Sequence, residues 1–180
     1  MILGLDISSS VIGVAILNDT LLEFYQHFDV KKYKVKFDYF DILSKIEAYF
    51  EDIKSKYNVT SIHIEEPLKR ISSGTSSINT IITLYSYNFP ITWMVYKIFG
   101  IKPIYIKASQ ARKNLCIKKS NLINNKIKYH KNTKEIKIAA LDVILELYPE
   151  LINKFTFTKT GLLQPYWFDI ADAIVVALMV

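Results

Sequence analysis

The chain has 180 residues, 51% of them apolar, with only five glycines and five prolines, which predicts one packed domain over residues 1–180 and excludes a disordered chain. No apolar run approaches the roughly 18 residues of a membrane span, and the opening residues lack the basic leader and small-residue cleavage site of a secretory signal. The net charge of +6 is strongly segregated: residues 67–134 carry 13 bases and no acid, between an acidic first third (net −4) and an acidic end (net −3), a pattern that reads as a nucleic-acid footprint.

Residues 1–7 and 11–18 read as antiparallel strands joined by Ser8, Ser9 and Ser10. Asp6 is the single acid in this otherwise apolar hairpin, MILGLDISSSVIGVAIL. A buried carboxylate is costly unless it is paired or holds a metal. Leu21 to Asp29 adds a third strand after the Asn18-Asp19 turn, and Lys31 to Lys36 (KKYKVK) reads as a basic, flexible link. Asp38 then caps a helix to about Lys56, with Phe40, Leu43, Ile46, Phe50 and Ile53 at helical spacing. Val59 to Glu65 (VTSIHIE) alternates and is β-branched, so it reads as a buried strand, and the helix before it suggests a parallel crossover beside the first strand.

Ser72 to Ser77 forms a loop before a long apolar helix, about Ile78 to Phe99, expected to bend or break at Pro90 and to stop at Gly100. Ile101 to Ile106 is the next strand, and Ser109 can cap a short helix through Leu115. Cys116 stands alone in an apolar–basic stretch, cannot form an internal disulfide, and fits an intracellular, reducing compartment. Lys118 to Lys131 is a polar, basic loop; Thr133 caps a helix to Tyr148; a connector with Gly161 and Pro165 leads to a last helix from Phe168.

Two further places hold acids in apolar surroundings. Glu65 and Glu66 end the strand SIHIEE, where ligands collect in open sheets. Strand alternation puts Glu65 with His63 and Ser61 on the more polar face, so Glu65 is the favoured site residue and Glu66 the reserve. Asp169 and Asp172, three apart in WFDIADAIVVALMV, share one face of the last helix. If Asp6, Glu65, Asp169 and Asp172 converge, they make an oxygen-only cluster that suits Mg²⁺ or Mn²⁺ far better than zinc. His27, His63 and His130 are scattered and supply no nitrogen ligand set. Two such ions could activate a water and stabilise a leaving oxygen in phosphodiester cleavage.

These segments resemble, in order, the RuvC-type Holliday junction resolvases of the ribonuclease H-like superfamily. ILGLDISSSVIGVAIL, with Gly4, Asp6 and Gly13, is similar to their first hairpin; SIHIEEPL to their second acidic strand; KPIYIKASQARKNLCIK to their fifth strand and basic segment; DIADAIVVAL to their terminal Asp-x-x-Asp-Ala helix. The usual Pro-Gly after the first Asp is Ile7-Ser8 here, the glycines after the second acid are missing, and the spacer before Asp169 is longer. The resemblance implies an α/β fold with a five-stranded mixed sheet, three antiparallel strands then two parallel, flanked by helices. It also implies catalytic and metal-binding roles for Asp6, Glu65, Asp169 and Asp172. A homodimer would cut opposing strands of a four-way junction with Mg²⁺, leaving 5′-phosphate and 3′-hydroxyl ends. The helix after SSGTSS, with Leu84, Tyr85, Tyr87, Phe89, Trp93 and Met94, serves as either the dimer element or a central core helix. The Lys-, Ile-, Asn- and Tyr-rich composition fits a viral, phage or symbiont source, in which case the compartment is that of viral DNA replication.

Lys69 and Arg70 follow the second acidic strand, and Lys107, Arg112, Lys113, Lys118 and Lys119 follow the fifth; as a group they are expected to neutralise DNA phosphates. Ser72, Ser73, Thr75 and Ser76 could add neutral phosphate contacts. Two other readings remain: a related nuclease acting on flaps or RNA–DNA hybrids, and a junction-binding protein whose acid cluster is structural.

Overall fold

The computed structural model describes residues 1–67, 78–117 and 127–179. Strands β1 (Ile2–Ile7), β2 (Ile12–Asn18) and β3 (Leu21–Phe28) form an antiparallel meander, with Asp19 in the left-handed region (φ 54°) at its second turn. Strands β4 (Ser61–Glu65) and β5 (Ile104–Ile106) add in parallel, giving the order β3-β2-β1-β4-β5. This is the mixed five-stranded sheet implied by the strand order, although β4 and β5 are shorter than their apolar runs.

Alternation splits β1 between two cores. Leu3, Leu5 and Ile7 face one side, with Val14, Ile16, Ile62 and Ile64, and helices α2 (Tyr39–Lys56) and α3 (Ile78–Phe99) cover them. Gly4 and Asp6 face the other side, beneath α5 (Glu135–Leu147) and α6 (Tyr166–Ala177). Helix α2 buries Ile42, Ile46, Phe50 and Ile53, each worth roughly 1.5–3 kcal/mol of transfer free energy. Phe40 was expected on that stripe but is 75% exposed. A run of three-residue steps drifts round the helix and leaves its first member on the far side.

Asp38 caps α2 as expected, its Oδ1 accepting from the Asp41 N–H at 2.9 Å. Lys31 to Lys36 is not a plain link: Val30–Lys34 forms a one-turn helix, α1, capped by Asp29, whose Oδ1 accepts from the Lys32 N–H at 2.9 Å. Helix α3 runs through Pro90 without breaking. Proline removes the N–H that would bond the Ser86 carbonyl, and the Tyr39 hydroxyl donates to that carbonyl instead, tying α2 to α3. Gly100, at φ 70°, ends α3 with its N–H on the Tyr96 carbonyl at 2.8 Å.

Neither Ser109 nor Thr133 is the cap. Helix α4 (Ala108–Asn114) starts after Lys107 and α5 after Lys134, with no side-chain cap bond at either residue. Pro149 ends α5 and opens a 3₁₀ turn, Pro149–Lys154. The last helix begins at Tyr166, two residues before expectation, with Pro165 preceding it. Among the described residues no helix is long and apolar enough to cross a membrane.

Candidate metal and active site

The four acids come together at one end of the sheet. Asp6 and Glu65 each lie one residue beyond the paired Leu5 and Ile64, so adjacent parallel strands present them side by side. Helix α6 brings Asp169 and Asp172 over them from above. That approach depends on two glycines. A Cβ on Gly13, the partner of Asp6 across β1–β2, would lie 2.0 Å from the Asp169 carbonyl oxygen. A Cβ on Gly4 would lie 2.2 Å from the Ala173 carbonyl oxygen. Bare backbone at both places lets the helix rest directly on the sheet. Farther along α6, the Val176 carbonyl accepts from His63 Nδ1 at 3.0 Å, while His63 Nε2 accepts from the Ser61 hydroxyl at 3.0 Å. Burial holds this imidazole below its usual pKa, against the Val176 hydrogen bond. The polar face of β4 is therefore the α6 face, and Glu65 shares it.

Asp6, Glu65 and Asp172 each offer a carboxylate oxygen within 4.8 Å of the other two. Asp169 lies beside Asp6 at the edge of this group. Glu65, not Glu66, is the residue of the strand-end pair that joins the cluster. Burial raises the Asp6 pKa well above the ordinary range, and the charges of Glu65, Asp169 and Asp172 add to this. Burial and Asp172 push Glu65 up to about 7, against Arg112 and Lys137. Burial pushes Asp169 up to about 6, with Lys137 opposing and Asp172 assisting. Like charges this close hold protons that an isolated carboxylate would release.

Two cations enter the cluster. Lys137 of α5 places Nζ 3.5 Å from Asp169 Oδ1 and 3.3 Å from Asp172 Oδ2. Arg112 of α4 places Nη2 3.0 Å from Asp172 Oδ1. Burial would lower both pKa values, but Asp172 and its neighbours outweigh it and raise them. Both side chains are therefore cationic at neutral pH. Sequence reasoning placed Arg112 among the phosphate contacts, and the fold turns it inward onto Asp172. It missed Lys137 altogether. A signal existed: Lys137 is three, four and seven residues before Ala140, Leu141 and Ile144, all buried on α5, so it lies on the helix's apolar side.

Lys107 and Lys113 are exposed at the two ends of α4. Lys69, Arg70, Ser72, Ser73, Thr75, Ser76, Lys118 and Lys119 lie outside the described residues. A cleft of about 410 Å³ opens beside Asp169 and Lys137, walled by His130, Asn132, Thr133 and Lys134.

A purely carboxylate donor set is the chemistry of hard divalent cations, and three converging oxygens suit Mg²⁺ or Mn²⁺. The residues present fit such an ion.

The sheet order and its flanking helices define a ribonuclease H-like fold. The arrangement is similar to that of solved RuvC structures. Thermus thermophilus RuvC in complex with a Holliday junction substrate superposes with a TM-score of 0.63 at 11% identity, over 98% of this chain and 89% of that one. A second Thermus thermophilus RuvC structure gives 0.58 at 11% identity, over 98% and 90%. Neither a protein-family model nor a curated protein matches the chain in sequence. At this identity the likeness is one of fold.

Proposed function

We propose that residues 1–180 form a single nuclease domain that cuts branched DNA, four-way junctions in particular, by metal-dependent phosphodiester hydrolysis. The observation that carries this reading is the meeting of Asp6, Glu65 and Asp172 from two strands and a helix, with Asp169 at their edge. The likeness to a RuvC bound to a Holliday junction supports the choice of substrate.

In this reading Asp6, Glu65 and Asp172 would hold Mg²⁺, with Mn²⁺ as a substitute. When bound, the metal supplies an activated water and charge stabilisation for the leaving oxygen. Asp169, with a pKa of about 6, is mostly ionised at neutral pH and can accept a proton at its carboxylate. Lys137 stays protonated, fixes Asp169 and Asp172, and flanks the cleft through which a strand would reach them. Arg112 restrains the Asp172 carboxylate. The exposed Lys107 and Lys113, with Lys69, Arg70, Lys118 and Lys119, are the proposed phosphate contacts.

Opposed cuts in a four-way junction need two sites, so the proposed partner is a second copy. Helix α3 offers a surface for it. Its inner side, with Tyr87 and Met94, is core, while Phe89, Trp93 and Tyr96 are 57%, 63% and 45% exposed. These three line a groove of about 570 Å³ with Thr92 of α3, Pro103, and Tyr105 from the edge strand β5.

The test is incubation with synthetic four-way, flap and RNA–DNA hybrid substrates, with and without Mg²⁺. Metal-dependent paired cutting of the four-way substrate is expected. Preference for flaps or hybrids would reassign the substrate, and binding with no cutting under any metal would leave a junction-binding protein. Asp6→Asn should abolish cutting and retain binding.

A further inference from the structure

The first third of the chain is acidic overall, yet its most cationic segment sits at the catalytic end of the sheet. Asp6, Gly13 and His27 form one row across β1, β2 and β3. At roughly 4.8 Å per strand, His27 stands about 10 Å from Asp6. Helix α1 begins three residues later, and the Lys31 N–H donates to the Ser10 carbonyl of the β1–β2 turn at 2.9 Å. The buried Phe28 and Val30 anchor it, and Tyr33 stacks on Phe28 with centroids 5.1 Å apart. The segment therefore has a fixed place at the same end of the sheet as Asp6, on the face covered by α2 and α3.

Its outward chemistry is uniform. Lys31, Lys32, Lys34 and Lys36 are all exposed, with no acid between them, and among the described residues none of the four forms an ion pair. The flanking acids Asp29 and Asp38 are engaged as helix caps. Lys34 lies 4.6 Å over the Tyr87 ring, which ties α1 to α3. A surface needing only solubility would intersperse both signs. The cationic face instead lies at the end of the sheet that carries the cluster, on the α2–α3 side.

We propose that Lys31, Lys32, Lys34 and Lys36 form a second phosphate-binding surface, which holds a duplex arm of the DNA whose strand is cut at the carboxylate cluster. This inference rests on the nuclease reading. The surface positions substrate and takes no part in the chemistry.

The test compares wild type with the triple variant K31Q/K32Q/K36Q, leaving Lys34 on its ring. Binding of a labelled four-way junction and of a linear duplex is measured without divalent metal over a salt series. At about 0.9 per lost phosphate contact, the slope of log affinity against log salt should flatten by about 2–3, and affinity at about 0.1 M salt should fall at least tenfold. K31R/K32R/K36R should keep the wild-type slope. In wild type, bound DNA should protect these lysines from an amine-labelling reagent, a readout that needs no substitution. Unchanged slope and affinity, or unprotected lysines, would overturn the α1 surface alone if wild type still binds and cuts. Wild type that binds no DNA overturns the nuclease reading instead.

Discussion

Gly13→Ala is the substitution by which the site's construction can be tested. The added Cβ would lie 2.0 Å from the Asp169 carbonyl oxygen and 2.4 Å from its carbon, both backbone atoms that no rotamer change can move. A carbon–oxygen approach much below about 3.3 Å is repulsive, so α6 must retreat from β2 by about 1 Å. Overpacking of this kind costs about 1–3 kcal/mol. For a chain of this length that lowers the melting temperature by about 2–12 °C. The retreat also carries Asp169 away from Asp6, and a 1 Å misplacement at a reacting centre costs about 100-fold in rate. Thermal melting and the four-way cleavage assay, run well below the variant's melting temperature, read the two effects separately. Gly100→Ala is the control: nothing lies within 4 Å of its Cβ, and its cost comes from φ 70° alone. That variant should lose about 1 kcal/mol and keep its cleavage rate. A Gly13→Ala protein that melts and cuts like wild type would refute the close approach of α6 as the device that assembles the site.

Metal-free protein should lose stability between about pH 4.5 and 7 on account of Glu65 and Asp169. Their pKa values are pushed up to about 7 and 6, so in that window the native state holds protons the unfolded chain has released. His27 and His63, held below their usual pKa by burial, work in the opposite direction near pH 6, so the informative quantity is the difference from Glu65→Gln, whose melting profile should fall less steeply. An identical profile would remove Glu65 from the coupled cluster. The stabilisation given by Mg²⁺ should increase from pH 6 to 8, because the proposed ligands must ionise to hold it; a pH-independent gain in melting temperature would count against this site. Lys137→Gln should destabilise metal-free protein by about 1–2 kcal/mol, discounted for a side chain 35% exposed, and chemical denaturation without metal is the check. A neutral result would mean that Arg112 alone compensates Asp172. Trp93→Glu should convert the proposed dimer to a monomer by light scattering while leaving the melting temperature near wild type; a wild type that is already monomeric, or an unchanged mass, would move the partner surface away from α3.

The hairpin, the α2 helix and the last helix were legible because each carries its own period and stop signals. The acids were legible for a related reason. Asp6 and Asp172 stand where a carboxylate is expensive, and cost is visible in a sequence when a charged residue interrupts an apolar pattern. What stayed hidden depended on partners distant along the chain. Pro90 reads as a break because only the fold reveals the Tyr39 hydroxyl beneath it. The α1 turn is too short to show a period, and its Lys-rich composition imitates a linker. Gly4 and Gly13 could be matched to a family pattern, but their reason is the backbone of α6, more than 150 residues away.

Lys137 was the most consequential omission, and it changes how the acid cluster must be understood. A lysine on a helix is ordinarily solvated, so its place on the apolar side of α5 carried little weight beside the obvious acids. With Arg112 it brings two positive charges to four carboxylates. That is enough to keep Asp172 paired and too little to ionise the whole group, which is why burial and mutual repulsion still raise Asp6, Glu65 and Asp169. The formal shortfall is two charges, the charge of one divalent cation. The metal-free fold offsets it by retaining protons, and the proposed Mg²⁺ would displace them. On the proposed reading the cations would let the site fold before it is loaded, while the unpaired remainder would set its demand for an ion.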